Sequence, residues 1–180
     1  MDSRPGLGRR IGRLLSTGTT PDAAGRRPAS APAGHPALAQ LPEWPLRTVA
    51  ILATVDRVPY AIPVSAPVRA ADRSILIALE RSRGSLARLR TRPAVALAVL
   101  AGGNVAFTAR GRARVIEEHM ATTPDYTAVA IDVEQIDDHR QAAFEVDSGV
   151  GRLWLDEAEQ RSLRERIREL QELAEWRGSR

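Results

Sequence analysis

The sequence predicts a mainly β domain: a six- to seven-stranded antiparallel barrel with a short helix before its fourth strand and an amphipathic helix at its end. Three observations predict it. Apolar residues recur with period two in short runs between Arg47 and Ile136. Those runs are punctuated by Gly, Pro, Asn and Asp turn signals. From Asp156 onward the apolar period lengthens to that of a helix.

Residues 1–36 are rich in Arg, Pro, Gly and Ala and offer too little apolar surface to offset ordering entropy, so a disordered tail is expected there. Residues 37–154 are expected to form the barrel and 155–180 the terminal helix packed on it. Ala37 to Leu41 reads as a helical turn stopped by Pro42, and Trp44 as an apolar anchor at the domain's entrance. The first strand, Thr48 to Val55, is apolar at both parities and is expected to be covered on both faces. After the turn at Asp56-Arg57-Val58-Pro59 comes a second strand, Tyr60 to Val68, marked by Pro59, Pro63 and Pro67. Backbone N–H groups alternate between the two edges of a strand, so prolines of one parity strip donors from a single edge. That edge is either an aggregation-proof border of the sheet or an opening for a ligand or partner subunit.

The third strand is expected at Ser74 to Leu79, followed by a helical segment at Ser85 to Arg90 and a fourth strand at Ala94 to Leu100. In the fourth strand alanines occupy one face and Val95, Leu97 and Val99 the other, a division suited to a curved barrel wall. Gly102-Gly103-Asn104 signals a hairpin into the fifth strand, Val105 to Ile116, where Phe107, Ala109, Ala113 and Val115 oppose Arg110, Arg112 and Arg114, and Gly111 permits a bulge. In the sixth strand, Thr127 to Ile136, Val129, Ile131 and Val133 point inward, and Asp132 and Glu134 can meet the arginines next door. Phe144 to Trp154 is expected as a further short strand broken at Gly149 and Gly151. Asp156 and Glu159 have capping-box spacing, ahead of a stripe of Leu163, Ile167, Leu170 and Ala174.

Composition excludes several chemistries. The chain has no cysteine, hence no disulfide, thiolate metal site or cysteine nucleophile, and no lysine for Schiff-base chemistry. Its net charge of +4 lies in the tail, where Arg4, Arg9, Arg10, Arg13, Arg26 and Arg27 face only Asp2 and Asp22. The remainder is neutral, which argues against duplex nucleic acid as a partner of the folded part. No membrane span or secretory h-region is present, and a cytoplasmic location is expected. His119 and His139 follow paired acids without any metal-ligand spacing, so no metal is expected. Ser65 and Ser82 lack a placed base or nucleophile elbow, which argues against a hydrolase.

The order of these elements resembles the pyridoxamine 5'-phosphate oxidase-like family of flavin-binding split barrels. The resemblance runs from about residue 45 to 140. It rests on Ala50-Ile51-Leu52-Ala53-Thr54-Val55-Asp56, on Pro59-Tyr60-Ala61-Ile62-Pro63-Val64-Ser65, on Ser82 to Pro93 leading into Ala94-Val95-Ala96-Leu97, and on Ala109-Arg110-Gly111-Arg112-Ala113-Arg114-Val115. It implies a homodimer that binds FMN, or a deazaflavin coenzyme, in an interfacial groove and acts as an oxidoreductase. It implies cofactor contacts from Val64, Ser65, Arg81, Ser82, Arg83, Ser85 and Arg88. Arginine offers phosphate a bidentate fork, and a helix starting near Ser85 offers free N–H groups and a positive dipole end. The alternative for these arginines is a solvated helix face. The sequence departs from the family pattern in three places: Ser85 where a lysine is common, Arg88 where an asparagine is, and Val58 where a glycine is. Two other functions fit the same residues, a non-catalytic flavin or haem binding or sensing protein, and a dimeric scaffold with a basic nucleic-acid-binding tail.

Overall fold

The structure, a computed structural model, describes residues 38–179, so the expected tail over 1–36 lies outside the described residues. The elements follow in the order β1 (Val49–Val55), β2 (Pro59–Ser65), β3 (Val68–Ala71), β4 (Ser74–Glu80), α1 (Gly84–Thr91), β5 (Ala94–Ala101), β6 (Val105–Glu117), β7 (Tyr126–Asp138) and α2 (Glu157–Gly178). The strands form one antiparallel sheet in the order β2-β1-β5-β6-β7-β4-β3. The fold is the mainly β split barrel that the sequence predicts.

The sheet curls around an inner face that is mostly apolar, and its two longest strands bend at a bulge. In β6 the buried parity carries Phe107, Ala109 and Ala113 while Arg110, Arg112 and Arg114 face solvent. At Gly111 the register with β7 slips, and a Cβ there would lie 2.0 Å from the Asp132 carbonyl oxygen. Only a glycine lets the two backbones come so close. The curl brings Val64 of β2 into one core with Ile77 of β4, Leu97 of β5 and Ile131 of β7. Trp44 plugs the barrel as expected: its indole Nε1 donates to the Pro67 carbonyl at 2.8 Å, and its ring lies 5.6 Å from that of Phe107. The three-residue turn at Gly102-Gly103-Asn104 is made possible by left-handed φ values of 77° at Gly103 and 57° at Asn104.

The outer faces of the sheet are treated unequally. Over β3, β4 and β7 lies α2, whose Leu170 and Ala174 pack on Val68, Leu76, Ala128 and Ala130. Asp156 caps this helix by accepting from the N–H groups of Ala158 and Glu159. The Glu169 carboxylate pins it to the β6–β7 loop, accepting from Ala121 N (2.6 Å), Thr122 N (2.9 Å) and Thr122 Oγ1 (2.6 Å). The opposite flank, β2-β1-β5, has no such cover among the described residues.

Four local expectations are corrected. Strand β1 is covered on one face only: Ala50, Leu52 and Thr54 are buried, while Ile51 and Val55 are 44% and 52% exposed. The expected second strand is two, because Ala66 adopts φ 53° and Pro67 follows it, turning the chain toward the far edge of the sheet. Residues 38–41 contain bends and no helix. Phe144 to Trp154 forms no strand. Both edges of the β5–β6 hairpin are already paired, so this segment crosses the hairpin's end, tied by Asn104 N to the Val146 carbonyl (3.0 Å) and Val146 N to Asn104 Oδ1 (3.2 Å).

Candidate functional site

The prolines that mark β2 determine where the barrel splits. Strand β2 ends the sheet, with β1 on one side, and Pro59 and Pro63 withhold N–H donors on the other. It therefore approaches β4 without pairing to it. The gap is a cleft of about 280 Å³, walled by Ile62 to Ala66 on one side and Ala78 to Glu80 on the other. The start of α1, Tyr126 and the first half of α2 complete its lining. Ala66, buried in the wall, holds its left-handed backbone at a cost of roughly 1–2 kcal/mol, a strain concentrated at the cleft.

The α1 end brings an uncapped helix start beside the Glu80 carboxylate and Arg83. The helix has no side-chain cap on its first N–H groups and no acidic residue in its first turn. Ser85, 1% exposed, has a buried Oγ with no partner, and it lines the cleft. One turn on, the Arg88 guanidinium lies 3.9 Å from the centre of the Tyr60 ring, and its buried Nε also lacks a partner. A Cβ at Gly84 would lie 3.4 Å from Arg88 Nη1, which places this guanidinium over the first turn of the helix. Orphaned donors cost about 1–3 kcal/mol each when buried. Of these groups Ser85 and the start of the helix line the cleft, and Arg88 does not.

The other predicted residues are distributed unevenly. Val64, Ser65, Arg83 and Ser85 line this cleft, Arg81 and Ser82 line a second one with Thr123, Asp125 and Ser162, and Arg88 lines neither. Arg83 is engaged by Glu80 at 2.9 Å, and the Ser82 hydroxyl donates to the same carboxylate at 2.5 Å. Those two hydrogen bonds, Ser82 first, hold the Glu80 carboxyl below the usual carboxylate range. Arg110 and Arg114 pair with Asp137 and Asp132 on β7, at 2.7 Å in each case, away from the cleft.

Sequence reasoning missed the contribution of α2. Arg166, 5% exposed, stacks 4.0 Å from the Tyr126 ring centre, with Nη2 donating to Glu159 (2.6 Å) and Nη1 to Ser162 (2.9 Å). It stands in the wall between the two clefts. A signal existed: Arg166 falls inside the apolar stripe, three residues after Leu163 and four before Leu170, where a charge must be paired. Burial raises the Tyr126 phenol above its ordinary value. Among the described residues no group of acids and histidines could hold a metal ion, and no helix is long and apolar enough to cross a membrane.

No protein-family model matches this chain, and no curated protein matches it. Solved structures are similar to it at low identity. One is described as a putative pyridoxamine 5'-phosphate oxidase from Listeria innocua, 14% identical, covering 52% of this chain and 89% of its own at a TM-score of 0.44. Another is an FAD-binding protein from Mesorhizobium loti, 16% identical over 49% of this chain and 81% of its own, TM-score 0.41. A third is HupZ from Group A Streptococcus, 15% identical over 58% of this chain and 90% of its own, TM-score 0.46. All three scores lie below 0.5, and the chemistry of the cleft rests on its own residues. The chain is similar, over about half its length, to solved proteins of these descriptions.

Proposed function

We propose that this protein binds a flavin mononucleotide-type cofactor in the split of the barrel and acts as a flavin-dependent oxidoreductase. The carrying observation is the pair of buried, unpartnered groups, Ser85 Oγ and Arg88 Nε, at an uncapped helix N-terminus. Ser85, Arg88 and the first N–H groups of α1 hold the phosphate in this reading. Val64 and Ser65 border the chain that leads from it. FMN supplies the hydride or electron chemistry when bound, and the protein positions it and excludes water. The cleft, at about 280 Å³, falls just under the range of about 300–1,000 Å³ for pockets that enclose whole drug-sized ligands. Ser85 and the first N–H groups of α1 would hold the phosphate end there, and the flavin ring would need cover from outside the cleft.

A homodimer is part of this proposal. The uncovered outer face of β2-β1-β5 presents Ile51, Val55, Pro63 and Leu100 to solvent with no charge among its outward residues, and a face of that kind marks an interaction surface.

Titration of the purified protein with FMN, a deazaflavin coenzyme and haem, followed by visible absorption, tests the reading. Saturable FMN binding is expected, followed by oxidation of reduced nicotinamide by the loaded protein. Binding of FMN without turnover under any electron donor leaves a carrier or sensor. Binding of haem alone refutes the assignment.

A further inference from the structure

We infer that the second cleft, beside Arg81 and Thr123, is a binding site for a small zwitterion whose carboxylate and ammonium lie a few bonds apart, as in a free amino acid. The site stands apart from the flavin reading, because no residue assigned to the phosphate lines this cleft.

The cleft, of about 560 Å³, lies where the ladder between β4 and β7 ends. Its last pair is Glu80 with Tyr126, and one further bond, from Arg81 N to the Asp125 carbonyl at 2.8 Å, sets the next two residues side by side. Side chains so placed are near enough to pair. On the same sheet Arg110 and Arg114 each close an ion pair with an acid of β7 at 2.7 Å. Arg81 and Asp125 do not. Both are exposed and line the cleft, and among the described residues neither side chain has a hydrogen bond or ion pair. The other acids of the lining are already engaged, Glu80 by Ser82 and Arg83 and Glu159 by Arg166. One cation and one carboxylate are therefore left open.

Two hydroxyls join them. Thr123, 9% exposed, lines the cleft, and its buried Oγ1 has no partner. Ser162 accepts from Arg166 Nη1 at 2.9 Å and so keeps its own proton to give. Solvent accounts for two exposed charges, but not for a buried hydroxyl without a partner, which costs stability until something binds it. The loop that carries Thr123 is held in place beforehand. Glu169 fixes Ala121 and Thr122, Tyr126 N donates to the Thr123 carbonyl at 2.9 Å, and Met120 N donates to the Tyr126 carbonyl at 3.0 Å. Groups fixed in advance lose little freedom on binding.

The balance of charge selects the ligand. A simple anion at Arg81 would have the Asp125 carboxylate beside it, and a simple cation at Asp125 would have the guanidinium. A zwitterion answers both, its carboxylate taking Arg81 and the two hydroxyls and its ammonium taking Asp125.

Titration of the isotope-labelled full chain with glycine, acetate and methylammonium, followed by amide chemical shifts, tests the site. Glycine should shift the amides of Thr123, Asp125 and Tyr126 saturably, half-way at about 1 mM or below, and should bind more tightly than either single-charge probe. Thr123→Val, the same shape without the hydroxyl, should weaken glycine binding about tenfold to hundredfold, and Thr123→Ser should retain it. Asp125→Asn should abolish the preference for glycine over acetate. Should Thr123→Val fail to fold, the Asp125→Asn exchange on the exposed rim decides alone. The absence of a saturable shift with glycine, equal affinity for glycine and acetate in the parent, or a folded Thr123→Val variant that binds as the parent does overturns the site.

Discussion

Replacing Ser85 with alanine separates a group kept for binding from one kept for folding. Its hydroxyl is fully buried and bonds to nothing, so the folded protein carries a desolvation penalty of about 1–3 kcal/mol for it. Alanine removes the penalty and raises helix propensity slightly. The substitution leaves a small void beside Leu86 and Leu89, which offsets part of the gain. A net stabilisation of about 1 kcal/mol is expected for the ligand-free protein, or about 2–4 °C in Tm for a domain of this size. FMN affinity should move the other way, by about tenfold to hundredfold, since one hydrogen bond to a charged phosphate, about 1.5–3 kcal/mol, is lost. Differential scanning calorimetry and a fluorescence titration on the same samples read the two effects. A ligand-free variant less stable than the parent by 1 kcal/mol or more would show that Ser85 bonds within the fold, and the anion site would lose its main support.

Other substitutions test the frame around the cleft. Gly111→Ala places a Cβ 2.0 Å from the Asp132 carbonyl, forcing β6 and β7 apart at the bulge; a loss of roughly 3 kcal/mol or more in urea unfolding is expected, and a loss below 1 would mean the bulge relaxes freely. Glu169→Ala strands the N–H groups of Ala121 and Thr122 beneath α2; about 2–4 kcal/mol should be lost, with hydrogen exchange rising first in the β6–β7 loop. For Glu80 the sign follows from its depressed folded pKa. Its contribution is complete above the unfolded value of about 4.3 and is lost as pH falls through the folded one. Glu80→Gln should therefore narrow the stability gap between pH 7 and pH 3, and an unchanged gap would show that the Ser82 and Arg83 bonds do not persist in solution.

The barrel was legible because its strands keep a strict two-residue period. In β6 the alternation of arginines with Phe107, Ala109 and Ala113, broken at Gly111, is visible in the letters alone. The end of β2 was less so: a run of apolar residues through Val68 reads as one strand, and only the left-handed backbone at Ala66 divides it. For β1 the letters misled, since apolar residues at both parities match burial on two faces as well as one apolar face left exposed. The loop and helix from Arg81 to Arg88 stood out as basic and Ser-rich, yet their roles diverge through contacts distant in sequence. Glu80 engages Ser82 and Arg83, Tyr60 receives Arg88, and Arg81 turns to another cleft. The closure of the cleft by Glu159 and Arg166 depends on how α2 docks, which no local pattern specifies.

The central claim is that the split of the barrel recognises a flavin phosphate through Arg88 and the start of α1. A paired titration tests it most directly, with FMN and riboflavin each measured against the parent, Arg88→Met and Arg112→Met. FMN should bind the parent about tenfold to hundredfold more tightly than riboflavin, the scale of a charged hydrogen bond of about 1.5–3 kcal/mol. In Arg88→Met that preference should collapse while riboflavin affinity changes little, and Arg112→Met should behave as the parent. Equal affinities for FMN and riboflavin in the parent, or a preference abolished by Arg112→Met and untouched by Arg88→Met, would place the phosphate elsewhere and contradict the account.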